Sequence, residues 1–144
     1  SAKTPFVIGR SEILKDGEDI TIFGHGPILA TALEVATRLE SEIKMQVINV
    51  HTIKPLDQRG ILDAVRKTKT AIVIEDHQYI GGLGSAISEL LAEHQPTRLK
   101  LLGVRDRFGT SGTQDQLWKE YKIDANELER VVKKLVATKS KTTA

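Results

Sequence analysis

The residues best equipped for chemistry lie together in Val73-Ile74-Glu75-Asp76-His77-Gln78-Tyr79-Ile80-Gly81-Gly82-Leu83-Gly84. Two carboxyls followed by an imidazole could work as an acid–base set or as metal ligands. Alternation along an extended chain puts Glu75 and His77 on one side and Asp76 on the other, where the carboxylate would orient or stabilise the imidazole. No H-x-x-x-H or H-E-x-x-H spacing exists, so a metal would need ligands brought from elsewhere. The expectation is a hydrogen-bonded polar junction at a strand end. Gly81, Gly82 and Gly84 precede a helical pattern, where free backbone amides favour an anion. The Lys-Ser/Thr of a phosphate-binding loop is missing, which speaks against nucleotide hydrolysis.

Two other segments carry polar groups at comparable places. Arg105-Asp106-Arg107 follows an apolar run, and its arginines with Thr110 and Ser111 could hold a phosphate or a partner's carboxylate. Gly24-His25-Gly26-Pro27 invites a dinucleotide-binding reading, but Leu29 stands where the complete fingerprint needs Gly or Ala. It reads as a tight turn with Pro27 opening a helix. No serine lies in a G-x-S-x-G elbow. His51 and His94 are isolated and read as surface or capping residues.

The elements that would carry these groups alternate. Apolar runs at Ile20–Gly24, Met45–Val50, Ala71–Glu75 and Leu99–Val104 read as strands, with a short edge strand within Arg10–Lys15. Between them, apolar residues recur three and four apart: Ile28, Ala32, Val35, Ala36 and Leu39; Ile61, Leu62 and Val65; Leu83, Ala86, Ile87, Leu90 and Leu91. Such alternation predicts an α/β fold, a mostly parallel sheet with helices on both faces. Its ligand crevices belong at the carboxyl edge, where all three polar segments fall. Two further helices announce themselves by Thr113-Gln114-Asp115-Gln116 and by Asp124 with Glu127. Residues 1–9 read as a linker or arm, 10–137 as one domain and 138–144 as a frayed tail.

The 144 residues suffice for one domain with a substantial core. A net charge of +2, with acids and bases interleaved, argues against a nucleic-acid partner. No apolar run approaches the roughly 20 residues of a membrane span. The absence of cysteine excludes disulfides and thiolate nucleophiles and fits a cytoplasmic location. The start at Ser1-Ala2 without methionine looks like a piece of a longer protein.

Taken together, Ile20-Thr21-Ile22-Phe23-Gly24, Val47-Ile48-Asn49-Val50-His51-Thr52-Ile53-Lys54-Pro55-Leu56-Asp57, Glu75-Asp76-His77 with Gly81-Gly82-Leu83-Gly84, and Ser111-Gly112 resemble the C-terminal domain of transketolase. The resemblance runs from about Phe6 to Val136. It implies a three-layer domain with a five-stranded sheet whose first strand is antiparallel. It also implies a homodimeric parent enzyme that moves two-carbon ketol units between sugar phosphates in the pentose phosphate pathway. That parent would use thiamine diphosphate and magnesium or calcium held by its other domains or a separate subunit. The resemblance places no catalytic, cofactor-binding or metal-binding residue in this chain, which alone is expected to be inactive. His25, Gly26, Glu75, Asp76, His77, Gly81, Gly82, Gly84, Arg105 and Arg107 then read as a structural or interdomain contact or a weak anion site. The alternatives are a freestanding small-ligand-binding or regulatory module, and the C-terminal domain of deoxyxylulose-phosphate synthase or of a 2-oxoacid dehydrogenase beta subunit.

Overall fold

The computed structural model describes residues 6–139. Five strands, β1 (Glu12–Lys15), β2 (Ile20–Gly24), β3 (Met45–Asn49), β4 (Thr70–Gln78) and β5 (Arg98–Val104), form one sheet in the order β1-β3-β2-β4-β5. β1 pairs antiparallel with β3 and every other pairing is parallel. The helices are α1 (Ile28–Arg38), α2 (Gln58–Thr68), α3 (Leu83–His94), α4 (Gln114–Glu120) and α5 (Ala125–Lys139).

The period of two in the strands divides the core. Ile20, Ile22, Met45, Val47, Ile72 and Ile74 meet α1 and α5 on one face. Phe23, Ile48, Ala71 and Val73 meet α2 and α3 on the other. A strand buried on both faces needs an unbroken apolar run, which is why Ile20–Gly24 is buried throughout. The polar exceptions are paired with each other. The hydroxyl of Thr21 lies 2.8 Å from that of Thr68 and donates to Gln46 Oε1 at 3.0 Å, so these buried groups are satisfied at the sheet's opening edge.

Helix ends follow the local chemistry. Thr113 and Gln116 form the reciprocal capping box at α4, and Asp124 Oδ1 accepts from the Glu127 amide at α5. α5 extends through Thr138 to Lys139, past the expected end at Ala137. The Thr138 hydroxyl donates back to Lys134 O at 2.9 Å. Residues 140–144 of the expected tail, and 1–5 of the expected arm, lie outside the described residues. Residues 6–9 of that arm make specific contacts: the Phe6 ring centroid lies 4.5 Å from that of His51, and Gly9 N donates to Thr52 Oγ1 at 3.0 Å.

β4 is longer than its apolar run predicts, and its register with β5 is irregular just where the acids begin. Ile74 pairs with Leu102, but the next pair is Gln78 with Val104. The stretch Glu75–His77 therefore arches away from the ladder, and Gly103 lies opposite it. A Cβ at Gly103 would come within 3.0 Å of Tyr79 Cβ and 3.1 Å of His77 O.

Candidate functional site

Strand parity sends Glu75 to the face of Ala71 and Val73, towards the start of α3. It is the only charged side chain among the described residues with no solvent exposure at all (0%) alongside its apolar strand neighbours. An ionised carboxylate there demands partners. It finds them in the amino terminus of α3: Oε2 accepts from Leu83 N at 2.9 Å and Oε1 from Gly84 N at 3.0 Å. The cap residue, Gly82, has no side chain to do this. The anion favoured by these amides is thus supplied from within the chain.

Glycine is required here by close approach. A Cβ on Gly82 would lie 2.4 Å from Glu75 Oε2, and one on Gly84 would lie 2.9 Å from Oε1. Gly81 has φ +77°, in the left-handed region, and its amide donates to Ser85 Oγ at 2.8 Å.

His77 stands on the same side as Glu75, as alternation predicts. Its Nε2 lies 3.0 Å from Glu75 Oε2 and its Nδ1 lies 3.3 Å from Asp76 Oδ1, so the half-exposed imidazole sits between two carboxylates. His25 joins them from the turn between β2 and α1. Its ring centroid lies 5.1 Å from that of His77, and one ligating atom from each of His25, Glu75 and His77 falls within 4.8 Å of the other two. His25 Nε2 is buried without a hydrogen-bond partner. The turn is made by Gly26 at φ +69° and by Pro27 in helical conformation.

Arg105 and Arg107 follow the parallel strand β5 but line a different cleft of about 450 Å³, with Lys100, Lys122, Arg130, Tyr121 and two acids, Glu120 and Glu127. His25, Glu75 and His77 do not line it. Arg130 forks onto Glu127 at 2.6 and 2.8 Å. This hydrogen-bonded guanidinium, more than the nearby Lys122 and Lys100, holds the Glu127 carboxyl below its usual range. Five cationic groups against two carboxylates leave the cleft positive.

Sequence reasoning missed the part played by Asp57. Only 8% exposed, it caps α2 by accepting from Gly60 N and also accepts from Ser11 N and Ser11 Oγ, both at 2.7 Å. Burial pushes its carboxyl up, but the Ser11 and Gly60 donors, with Arg10 nearby, outweigh that and hold it below the usual carboxylate range. Asp57 thereby ties the chain before β1 to α2. Phe6, Val7, Ile8, Ile13 and Ile53 are exposed. No described helix is long and apolar enough to cross a membrane.

The family model described as "Transketolase, C-terminal domain" matches residues 9–128. The chain is 37% identical over 141 residues to the 6-deoxy-6-sulfo-D-fructose transketolase subunit SqwH of Clostridium sp. (strain MSTE9), spanning 97% of this chain and 44% of that protein. It is 42% identical over 135 residues to 1-deoxy-D-xylulose-5-phosphate synthase 1 of Geobacter sulfurreducens, covering 92% of this chain but 21% of the synthase. A solved structure described as a split-gene transketolase, inactive beta4 tetramer, superposes with a TM-score of 0.88 at 37% identity, over 95% of this chain and 45% of that one. Transketolase from Leishmania mexicana superposes at 0.66 with 16% identity, over 89% of this chain and 18% of that one, a likeness of fold alone. The chain thus spans less than half the length of each of these proteins.

Proposed function

The chain belongs to the transketolase C-terminal domain family, and on that footing we propose that it is the C-terminal domain of a transketolase moving two-carbon ketol units between sugar phosphates. The domain runs from residue 10 to the end of α5 at Lys139, and residues 1–9 are the connecting arm. Its part is to support assembly of a catalytic core made by other domains or a second subunit, in a homodimeric cytoplasmic parent of the pentose phosphate pathway. The observation that carries this reading is the match of nearly the whole chain to under half of a transketolase subunit. The exposed apolar side chains Phe6, Val7, Ile8, Ile13 and Ile53 suit contact with the rest of such a parent.

Thiamine diphosphate does not fit the residues present. The glycine-aspartate-glycine that the family resemblance implies for holding metal and diphosphate is absent from the sequence. The backbone donors best suited to a diphosphate, at the start of α3, are already engaged by Glu75. The cofactor and its magnesium or calcium belong to the remainder of the parent, and the isolated chain is inactive. The split-gene transketolase beta4 assembly described as inactive accords with that division of labour.

Glu75, Asp76 and His77, with Gly81, Gly82 and Gly84 bringing α3 close, form a polar junction that acts on structure and domain assembly. In the intact parent, His77→Ala then lowers stability or assembly while single-turnover ketol transfer is largely kept. A fall of about a thousandfold in single-turnover transfer, near 4 kcal/mol, with stability and assembly intact, would move His77 into the active site. The 42% identity to 1-deoxy-D-xylulose-5-phosphate synthase 1 supports a second reading, the same domain in a synthase of that type. Formation of 1-deoxyxylulose 5-phosphate by the parent, without ketol transfer, would favour it.

A further inference from the structure

His25, whose Nε2 is buried without a hydrogen-bond partner, brings a ring nitrogen within 4.8 Å of two groups that bind metals. His25 comes from the β2–α1 turn, Glu75 and His77 from the arched end of β4, and their three ligating atoms lie within 4.8 Å of one another. Zinc bonds of about 2.0–2.2 Å to imidazole nitrogen and carboxylate oxygen put tetrahedral ligands about 3.4 Å apart. His77 Nε2 and Glu75 Oε2 stand at 3.0 Å, and with the His25 atom within 4.8 Å of both a shift of at most about 1.4 Å by its ring reaches that spacing.

The surroundings are those a metal site needs. Leu83 N and Gly84 N fix the Glu75 carboxylate, and Oε2, which accepts from Leu83 N, keeps a second lone pair for a cation. Asp76 Oδ1, 3.3 Å from His77 Nδ1, can take that nitrogen's proton in a hydrogen bond and so present Nε2 as the ligand. Half-exposed His77 leaves a path for entry. Two imidazoles and one carboxylate are a borderline donor set, suited to zinc and poorly suited to magnesium or calcium.

We propose that His25, Glu75 and His77 form a three-ligand site for a zinc-class divalent cation, cross-linking the β2–α1 turn to β4 and leaving a fourth position open. The site is separate from the magnesium or calcium of the parent's cofactor and does not rest on the assembly reading.

Cobalt(II), whose visible absorption reports four-coordinate nitrogen–oxygen ligation, is the direct probe, with zinc as competitor. The chain should take up one equivalent of cobalt, displaced by one equivalent of zinc with Kd of about 1 µM. His25→Ala and His77→Ala should each weaken zinc at least about tenfold, while His51→Ala and His94→Ala leave it unchanged. Both ligand variants concern side chains outside the fully buried core, and denaturation in chelator verifies that each is folded. Zinc binding weaker than about 100 µM, or equal affinity in the two ligand variants and the original chain, overturns the site. Loss of stability by His77→Ala in chelator belongs to the junction role and is read separately.

Discussion

Replacing Glu75 by Gln keeps the shape of the side chain and removes its charge, which isolates what the buried carboxylate does. Both oxygens now accept backbone amides, from Leu83 and Gly84, in a fully buried place. An amide side chain has one oxygen, so it can satisfy one of these donors, and its NH2 confronts the other. A buried donor left without an acceptor costs about 1–3 kcal/mol. Loss of the negative charge at the amino terminus of α3 adds about 0.3–2 kcal/mol. Glu75→Gln should therefore lower the free energy of unfolding by about 1–5 kcal/mol, read as a shift of the guanidinium midpoint at unchanged slope. His77→Ala, measured beside it, removes only the half-exposed partner and should cost no more than about 1 kcal/mol. A loss below about 1 kcal/mol for Glu75→Gln, or a larger loss for His77→Ala than for Glu75→Gln, would refute the view that the α3 amides hold this carboxylate.

Gly82→Ala should destabilise by about 1–3 kcal/mol because its Cβ would meet Glu75 Oε2 at 2.4 Å. Gly26→Ala, with nothing within 4 Å, should show only the left-handed backbone penalty of about 1–2 kcal/mol, and equal costs above 3 kcal/mol in thermal melts would contradict the distinction. Because Asp57 is held below its ordinary pKa in the folded chain, its stabilising contribution is present above the unfolded value near 3.8 and lost as pH falls through the lower folded value. Asp57→Asn should accordingly flatten the decline of the urea midpoint below about pH 4, and an unaltered acid limb would count against it. Phosphate should bind in the cleft of Lys100, Arg105, Arg107 and Lys122 with millimolar affinity, about 4 kcal/mol, weakening with salt. Amide shifts confined to the loops that precede the parallel strands would refute that placement.

What could be read from the sequence was local or periodic. The runs at Ile20–Gly24 and Ala71–Glu75 had to be buried strands, and their apolar continuity required helices on both faces. Parity alone put Glu75 beside His77. The free amides at the start of α3 were legible as an anion's place, but the occupant was not, because it comes from a different element. The arrival of His25 depends on β2 lying next to β4, a matter of strand order that periodicity does not encode. The arch of β4 opposite Gly103 is likewise a register event between two strands. Asp57 was visible as part of a motif, yet its bonds to Ser11 span 46 residues and no local signal marks them. Arg105 and Arg107 were expected beside the other polar segments. β5 is an edge strand, so the chain leaving it is free to run over towards α4 and α5, and there the arginines line their cleft.

If the domain supports a thiamine-diphosphate enzyme whose cofactor is held elsewhere, the chain by itself binds none of that cofactor. Calorimetric titration of the chain with thiamine diphosphate and magnesium tests it most directly. No heat of binding beyond dilution is expected, since the α3 amides are occupied by Glu75 and the chain has no glycine-aspartate-glycine to carry the metal and diphosphate. Binding at about micromolar Kd, some 8 kcal/mol, with one cofactor per chain, would contradict it.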